Sequence, residues 1–108
     1  MKLIIAIVNK DDAHAVCQAL RHKEYMFTKL NSTGGFLKEN NRTLLIGIED
    51  EKVEDVLREI RANCATRQVE VPLVTFSDSE YYDRNPVANV TVGGATIFVV
   101  DAEHFEKM

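Results

Sequence analysis

The segment spanning residues 28–37 carries the residue types that best suit binding of a small anionic ligand. Two adjacent glycines allow the backbone to approach a ligand closely and to turn its amides into one concavity. Hydroxyl side chains before the glycines suit phosphate oxygens, and the aromatic residue after them offers a surface on which a base can stack. These residues are Thr28, Ser32, Thr33, Gly34, Gly35 and Phe36. An ordinary turn, with the aromatic ring in the core, explains the same pattern equally well.

Other small or amide residues could also contact a ligand. Gly93 and Gly94 form a second small-residue site, for which a strand bend without a ligand is the simpler explanation. Asn41 suits either recognition of a base edge or a turn. Gly47 lies within an apolar strand, which indicates that another group approaches the backbone closely there.

No set of residues suited to catalysis or metal binding emerges from the sequence. His14, His22 and His104 are far apart and lack the spacing of metal ligands, so we expect them at the surface. Cys17 and Cys64 are expected to be buried free thiols rather than a disulfide. The sequence therefore predicts a protein without catalytic activity, cofactor or metal.

Composition restricts the class of protein. The chain has 108 residues, of which 45% are hydrophobic and 28% charged, as expected for a single domain over residues 1–108. The net charge is −4 and the basic residues are scattered, which disfavours a nucleic-acid polymer as partner. The longest apolar run, Leu3–Val8, is far too short to span a membrane and is also shorter than the apolar region that we expect of a secretory signal. We therefore expect a cytoplasmic protein without membrane insertion.

A repeated strand–helix unit is predicted to position the candidate residues. The apolar runs at Leu3–Val8 and Thr43–Ile48 are typical of strands buried on both faces, and an apolar helical stripe follows each run. Asn9 or Asp11 is the expected cap of the first helix, and Asp50 that of the second. The two units match at an offset of 40 positions. The matched helical residues are Ala13, Val16, Cys17 and Leu20 in the first unit and Val53, Val56, Leu57 and Ile60 in the second.

The remaining elements complete a ferredoxin-like fold. Residues 25–30 and 70–76 are predicted strands, and the polar stretch Ser77–Pro86 is predicted to be a weakly ordered surface loop. Residues 87–92 and 95–100 flank the second glycine pair as a kinked strand or a tight hairpin. The predicted fold class is therefore α+β, a ferredoxin-like split βαβ arrangement (βαββαβ) with both helices on one sheet face and an added C-terminal strand or hairpin.

The sequence resembles the cyclic di-AMP receptors of the PII-like signalling protein family. The match runs nearly end to end and is most specific at residues 1–8, 28–30, 33–37, 46–50 and 92–96. The resemblance implies a homotrimer with ligand sites in the clefts between subunits, and two mobile loops at residues 37–42 and about 65–86. It also implies that the dinucleotide is contacted by Thr28, Gly35, Phe36, Leu37, Asn41 and Gly47, with Gly93 and Gly94 close by. Thr33 and Gly34 are added to the candidate site for their hydroxyl and backbone amides.

The chain departs from this family pattern at several positions. Receptors of the family usually carry an Asn and a ligand-contacting Arg where this chain has Glu24 and Met26. Asn40 and Arg42 replace a glycine and a threonine, and residues 106–108 replace a Gln near the adenine. Because charge-assisted hydrogen bonds are the strong ones, loss of the cation predicts weakened or altered dinucleotide binding.

Three functions follow from these observations. The first is a non-enzymatic PII-like receptor that binds a nucleotide second messenger, with cyclic di-AMP the best candidate, and relays it through mobile loops to a protein target. The second is a trimeric PII-like interaction protein that regulates a partner with a different small ligand or with no nucleotide. The third, an enzyme or metal-handling protein on the same fold, is disfavoured because the sequence lacks a catalytic or ligand cluster.

Overall fold

The chain forms a four-stranded antiparallel sheet, two helices and a separate two-stranded ribbon. The computed structural model describes residues 1–32, 41–64, 66–72 and 87–108. Its elements in chain order are β1 (Lys2–Asn9), α1 (Lys10–His22), β2 (Thr28–Ser32), β3 (Asn41–Ile48), a 3-10 helix (Asp50–Lys52), α2 (Val53–Asn63), β4 (Arg67–Pro72), β5 (Val87–Val92) and β6 (Ala95–Asp101). We call the β4–β5 ribbon the arm.

The sheet has the strand order β2-β3-β1-β6, and every neighbouring pair is antiparallel. Because β3 lies between β1 and β2, these two strands are parallel and α1 connects them across β3. β1 lies between β3 and β6 in the same way. Two interleaved βαβ units of this kind make up the ferredoxin-like arrangement. The predicted fold class is therefore confirmed.

The core lies between the helices and one face of the sheet. Alternate residues of β1 and β3 point towards the helices and meet both helical stripes there. The buried members are Ile4, Ala6, Val8, Ala13, Val16, Cys17, Leu20, Leu44, Ile46, Val56, Leu57, Ile60 and Cys64. Val53 is partly buried against them. Every helical position matched by the 40-residue offset thus faces this core, as the sequence predicts.

The predicted helix caps are correct for α1 and wrong for α2. The Asn9 side chain accepts a hydrogen bond from the backbone N–H of Asp11 at 2.8 Å. Asp50 instead lies in the 3-10 helix, and Lys52, at the start of α2, makes no capping bond. In the part of the chain that the structure describes, neither helix is long and apolar enough to cross a membrane.

The C-terminal end of α1 is closed by two backbone hydrogen bonds. The N–H of Tyr25 donates to the carbonyl of Leu20 at 2.9 Å, and the N–H of Glu24 donates to the carbonyl of Arg21 at 2.8 Å. This pair of bonds is the Schellman motif, in which the residue after the cap is left-handed. Glu24 accordingly has a φ of 63°.

The arm differs from the predicted arrangement of the C-terminal strands. β4 pairs with β5 over their full length, so the strand expected at residues 70–76 begins earlier and lies outside the main sheet. The hairpin considered for residues 87–100 does not form, because β6 pairs with β1. The chain bends instead at Gly93 and Gly94, whose φ values of 85° and 78° strongly favour glycine.

Two segments that the resemblance assigns to mobile loops are partly strand. Asn41 and Arg42 belong to β3, and residues 67–72 form β4. The predicted loop Ser77–Pro86 lies outside the described residues.

The sheet face opposite the helices is apolar and largely uncovered by the described chain, and we call it the open face. Ile7 and Thr43 are buried on this face, so a single chain meets only in part the predicted burial of β1 and β3 on both faces. Leu3, Ile5 and Leu45 are only half-buried, and Gly47 is exposed. The strand residues with large exposed side chains on this face are Leu30 (45%), Phe98 (43%) and Val100 (44%).

The molecule is elongated. Its radius of gyration is 18.2 Å and its Cα extents are 64 × 24 × 19 Å. A compact domain of this length would have a radius of gyration of about 13 Å. A single chain therefore leaves an unusually large surface available for contacts with other chains.

Candidate ligand-binding site

Three of the predicted ligand residues, Thr28, Asn41 and Gly47, lie on the open face. The core residues Leu44 and Ile46 of β3 are even-numbered, so the odd-numbered residues around them point to the opposite side of the sheet. Directly paired residues share a face, and Thr28 is paired with an odd-numbered residue of β3. The fold thus brings residues from two strands to one surface.

These three residues occupy two ends of the open face. Asn41 and Gly47 are six residues apart on β3, which corresponds to about 20 Å along an extended strand. Thr28 is paired with Leu45 and is therefore nearer to Gly47 than to Asn41. We refer to the Asn41 end and the Gly47 end of the open face. One chain presents two partial sites rather than one compact pocket.

The Asn41 end lies where the chain leaves β2 and enters β3. Asn41 is half-buried and is paired with Ser32 on one side and with Asn9 of β1 on the other. The remaining predicted residues of this segment lie outside the described residues: Thr33, Gly34, Gly35, Phe36 and Leu37.

At the Gly47 end, an aromatic side chain that the sequence did not single out lies over the backbone. The ring carbons Cε2 and Cδ2 of Phe105 are 3.7 and 4.0 Å from the point at which a Cβ of residue 47 would stand. The Phe105 side chain is nevertheless 59% exposed. Gly47 therefore exposes its backbone on the open face beside an aromatic ring. No periodicity marks residues 102–108, so the sequence offered no signal for this contact.

Met26 extends the Gly47 end beyond the start of β2. Tyr25 and Phe27, on either side of it, pack against the core. Met26 therefore points to the other side of the sheet, where it is 73% exposed. Continuing the β2–β3 register by two residues places it opposite Gly47. This end of the open face carries an exposed thioether at the position where the resemblance implies a cation.

Gly93 and Gly94 lie at the junction between the arm and β6. The N–H of Gly94 donates to the carbonyl of Cys64. A Cβ on residue 94 would stand only 2.7 Å from the hydroxyl oxygen of Thr66. Backbone conformation and packing thus account for this glycine pair, and its predicted proximity to a ligand rests on the resemblance.

The titratable residues considered in the sequence show no catalytic arrangement. His14, His22 and His104 are exposed, and the two cysteines are buried free thiols, all as predicted. Burial raises the pKa of both the Cys17 and the Cys64 thiol, which disfavours the nucleophilic thiolate. Within the described ranges, no three His, Cys, Asp or Glu side chains converge as a metal site would require.

On the helix side, a set of ion pairs ties the end of α1 to α2. The ammonium of Lys23 lies 2.8 Å from Glu59 and 2.9 Å from Asp55, and these bonds raise the pKa of Lys23 to about 12. The hydroxyl of Tyr25 donates to Asp55 at 2.5 Å and, together with Lys23, lowers the pKa of that carboxyl. A groove of about 780 Å³ runs beside these pairs, but none of the predicted ligand residues lines it.

Comparison with known proteins agrees with this architecture. The family model described as Cyclic-di-AMP receptor matches residues 1–108. The chain belongs to the cyclic-di-AMP receptor family. It is also similar to the crystal structure of a functionally unknown protein from Pediococcus pentosaceus ATCC 25745, with 36% sequence identity and a TM-score of 0.77. That similarity covers 99% of this chain and 96% of the other.

The two departures that the resemblance implies, at Glu24 and Met26, have different structural meanings. The position of Glu24 requires a left-handed backbone, which Asn adopts more readily than Glu. An Asn there suits the end of the helix whether or not it contacts a ligand. Met26 instead changes the chemistry of the open face, because its side chain points to the Gly47 end.

Proposed function

We propose that the protein is a homotrimeric receptor without catalytic activity that binds cyclic di-AMP, or a closely related nucleotide, between subunits. The observation that carries this proposal is the match of the receptor family over residues 1–108. The placement of Thr28, Asn41 and Gly47 on one face of the sheet supports it, since these residues offer a hydroxyl, an amide and an open stretch of backbone.

The open face supports the assembly. Apolar side chains of β1, β2, β3 and β6 are exposed there, and a sheet face of this kind is stabilised when another surface covers it. Closed rotational symmetry allows identical faces to cover one another without leaving a free interface. We expect a homotrimer of three 12.2 kDa chains.

The separation between the two ends of the open face supports a site shared by two subunits. Asn41 and Gly47 lie about 20 Å apart along β3. A cleft between neighbouring chains can combine the Asn41 end of one subunit with the Gly47 end of the next. In that arrangement the ligand also bridges the subunits, so binding stabilises the trimer by mass action.

Met26 favours the second candidate, a trimeric interaction protein that regulates a partner with a different ligand or with no nucleotide. Its exposed thioether cannot form the charge-assisted bond to phosphate that an arginine would supply. The two candidates share the assembly and differ in the ligand, so a binding measurement separates them.

The test of the ligand is isothermal titration calorimetry of the full chain with cyclic di-AMP, using cyclic di-GMP and AMP as controls. The receptor proposal predicts saturable binding of cyclic di-AMP that Phe36→Ala weakens. A thermal shift should accompany it, because ligand at 100 times its Kd stabilises the folded state by about 2.7 kcal/mol. No binding of any of the three compounds would favour the interaction protein.

The test of the assembly is light scattering at micromolar concentration. Phe98→Glu places a charge on the open face, where the side chain is 43% exposed, and should yield monomers. Gln18→Glu makes the same kind of change at an exposed position of α1 and should leave the trimer intact. A monomeric wild-type chain would contradict the proposed assembly.

A further inference from the structure

Asp12 is a buried carboxylate at the base of the arm that the proposed ligand site does not use. Its side chain is 7% exposed. Its two oxygens accept hydrogen bonds from the guanidinium of Arg67, at 2.9 Å from Nη2 and 3.4 Å from Nη1. A bidentate pair of this kind restricts the relative orientation of the two groups as well as their distance.

The pair connects the rigid core to the arm. Asp12 lies in the first turn of α1, whose apolar stripe is buried against the sheet, and Arg67 is the first residue of β4. The N-terminal end of the helix dipole also favours a carboxylate at this position. Any rotation of β4 at its base must therefore break or bend the contact with α1.

The second strand of the arm is held at the same place. The N–H of Gly94, just after β5, donates to the carbonyl of Cys64, just before β4. Gly94 also lies so close to Thr66 that a Cβ at this position would stand only 2.7 Å from the Thr66 hydroxyl oxygen. In the described residues, β4 and β5 are hydrogen-bonded as strands only to each other. The contacts at the base therefore determine how the arm is oriented relative to the sheet.

We propose that Asp12 is a positioning residue that fixes, through Arg67, the direction in which the arm leaves the core. A small rotation at the base causes a large displacement further along the arm. Pro72 stands about 17 Å from Arg67 along the strand, so a rotation of β4 by about 15° moves Pro72 by about 4 Å. The direction of the arm in turn sets which surface of a neighbouring chain or partner it can reach.

Asp12 is linked to the candidate ligand site through Asn9, three residues before it. Asn9, which caps α1, is paired with Asn41 on the sheet. A displacement at the Asn41 end can therefore reach Asp12 through the first turn of α1. This coupling rests on the proposed function, whereas the positioning role of Asp12 does not.

The test is a distance measurement between the core and the arm in the full chain. Spin labels at His14→Cys and Glu70→Cys, both at exposed positions, report the distance by pulsed electron resonance. The native thiols are buried, and dilution with unlabelled chains isolates distances within one chain. Each variant is compared with the same labelled pair in the otherwise unchanged protein.

Asp12→Asn and Arg67→Gln should each shift and broaden the distance distribution. Arg67→Lys, which keeps the charge but loses the planar fork, should broaden it less. Asp11→Asn removes the same charge at a neighbouring exposed position and should leave the distribution unchanged. The Arg67 side chain is 46% exposed, so Arg67→Gln should fold. It therefore tests the contact even if Asp12→Asn does not fold. An unchanged distribution in the folded variants would overturn the positioning role.

Cyclic di-AMP supplies the second measurement. If calorimetry shows binding, cyclic di-AMP should shift the distance between the two spin labels in the protein with native Asp12. The shift should be smaller in Asp12→Asn. Binding without any shift would overturn the coupling. Absence of binding would overturn the coupling and the proposed function together, while the distances in the free protein would still decide the role of Asp12.

Discussion

Tyr25 closes α1 by donating its backbone N–H to the carbonyl of Leu20 at 2.9 Å, and this bond requires a left-handed residue at position 24. A residue with a Cβ adopts that conformation at a cost of about 1–2 kcal/mol. Two positions further on, Met26 lies on the open face. We therefore expect that position 24 affects stability and that position 26 affects ligand affinity.

Glu24→Gly should stabilise the protein. Glycine removes the steric cost of the left-handed turn but gains entropy in the unfolded chain, so we expect a net increase of about 0.5–1 kcal/mol. In a domain of this size, that raises Tm by a few degrees. Thermal unfolding followed by circular dichroism measures the change. Gln18→Gly, at an exposed position inside α1, is the control and should lower Tm instead.

Met26→Arg should tighten binding of cyclic di-AMP. A hydrogen bond to a charged group contributes about 1.5–3 kcal/mol, which corresponds to about tenfold to a hundredfold in Kd. Titration calorimetry measures the affinity. Met26→Leu, which keeps the side chain apolar, should leave it unchanged.

Glu24→Asn separates the two departures from the family pattern. It should raise Tm, because Asn tolerates the left-handed conformation, without the gain in affinity expected of Met26→Arg. Combined with Met26→Arg, it should give tight binding in a more stable protein. An affinity gain from Glu24→Asn alone would show that position 24 contacts the ligand.

The sequence predicted those elements whose signals are local or repeated. The 40-residue offset identified Cys17 and Leu57 as corresponding helical positions, and both are buried in the same core. Asn9 was found as a cap because its side chain bonds only two residues away. By contrast, whether β5 pairs with β4 or with β6 depends on which distant segments pair with one another, and no local sequence pattern indicates that. Residues 95–100 therefore looked equally suited to a hairpin.

The candidate site could be predicted only in part for the same reason. Thr28, Asn41 and Gly47 were named from their residue types and from the family resemblance, and the β2–β3 pairing places them on one face. Phe105 was missed because its contact with Gly47 joins residues far apart in the sequence. The Asp12 contact was not singled out from the sequence, because its partner Arg67 lies 55 residues away.

Gly47→Ala should reduce ligand affinity while leaving stability nearly unchanged. The new Cβ would lie 3.7 Å from the Phe105 ring, an ordinary van der Waals distance, and alanine within a strand has a modest conformational advantage over glycine. The methyl group would nevertheless cover the exposed backbone at the Gly47 end, which the proposed ligand approaches. Urea unfolding and calorimetry with cyclic di-AMP measure the two effects.

Gly94→Ala is the contrasting change and should destabilise the protein by about 1–3 kcal/mol, because its positive φ disfavours a side chain. Its Cβ would also crowd the Thr66 hydroxyl. Adding Thr66→Ala should relieve only the crowding and therefore recover part of the loss. Unfolding midpoints of Gly47→Ala and Gly94→Ala that coincide would contradict this account of the two glycines.

Asp55 should make stability depend on acid pH. Its hydrogen bonds from Tyr25 and then Lys23 lower its pKa in the folded state. The resulting stabilisation is complete above the unfolded pKa of about 3.9 and is lost as the pH falls through the lower folded value. Asp55→Asn should therefore flatten the dependence of the unfolding free energy on pH as the pH falls below about 5.

The measurement for Asp55 is urea unfolding at a series of pH values. Tyr25→Phe removes the larger of the two bonds and should give an intermediate slope. Glu54→Gln neutralises an exposed carboxylate on the same helix and serves as the matched control. A slope in Asp55→Asn equal to that of the unchanged protein would assign the acid sensitivity to other groups.

The pairing of β1 with β6 joins the two ends of the sheet-forming sequence, since Lys2 is the register partner of Asp101. During synthesis, β1, β2 and β3 emerge long before Ala95–Asp101. Until then β1 is an edge strand with an apolar sequence and unpaired backbone groups, which are the features that promote association between unfinished chains. Emergence of β6 therefore ends the exposure of the β1 edge. We expect binding of chaperones to the nascent chain to decrease at that point of translation.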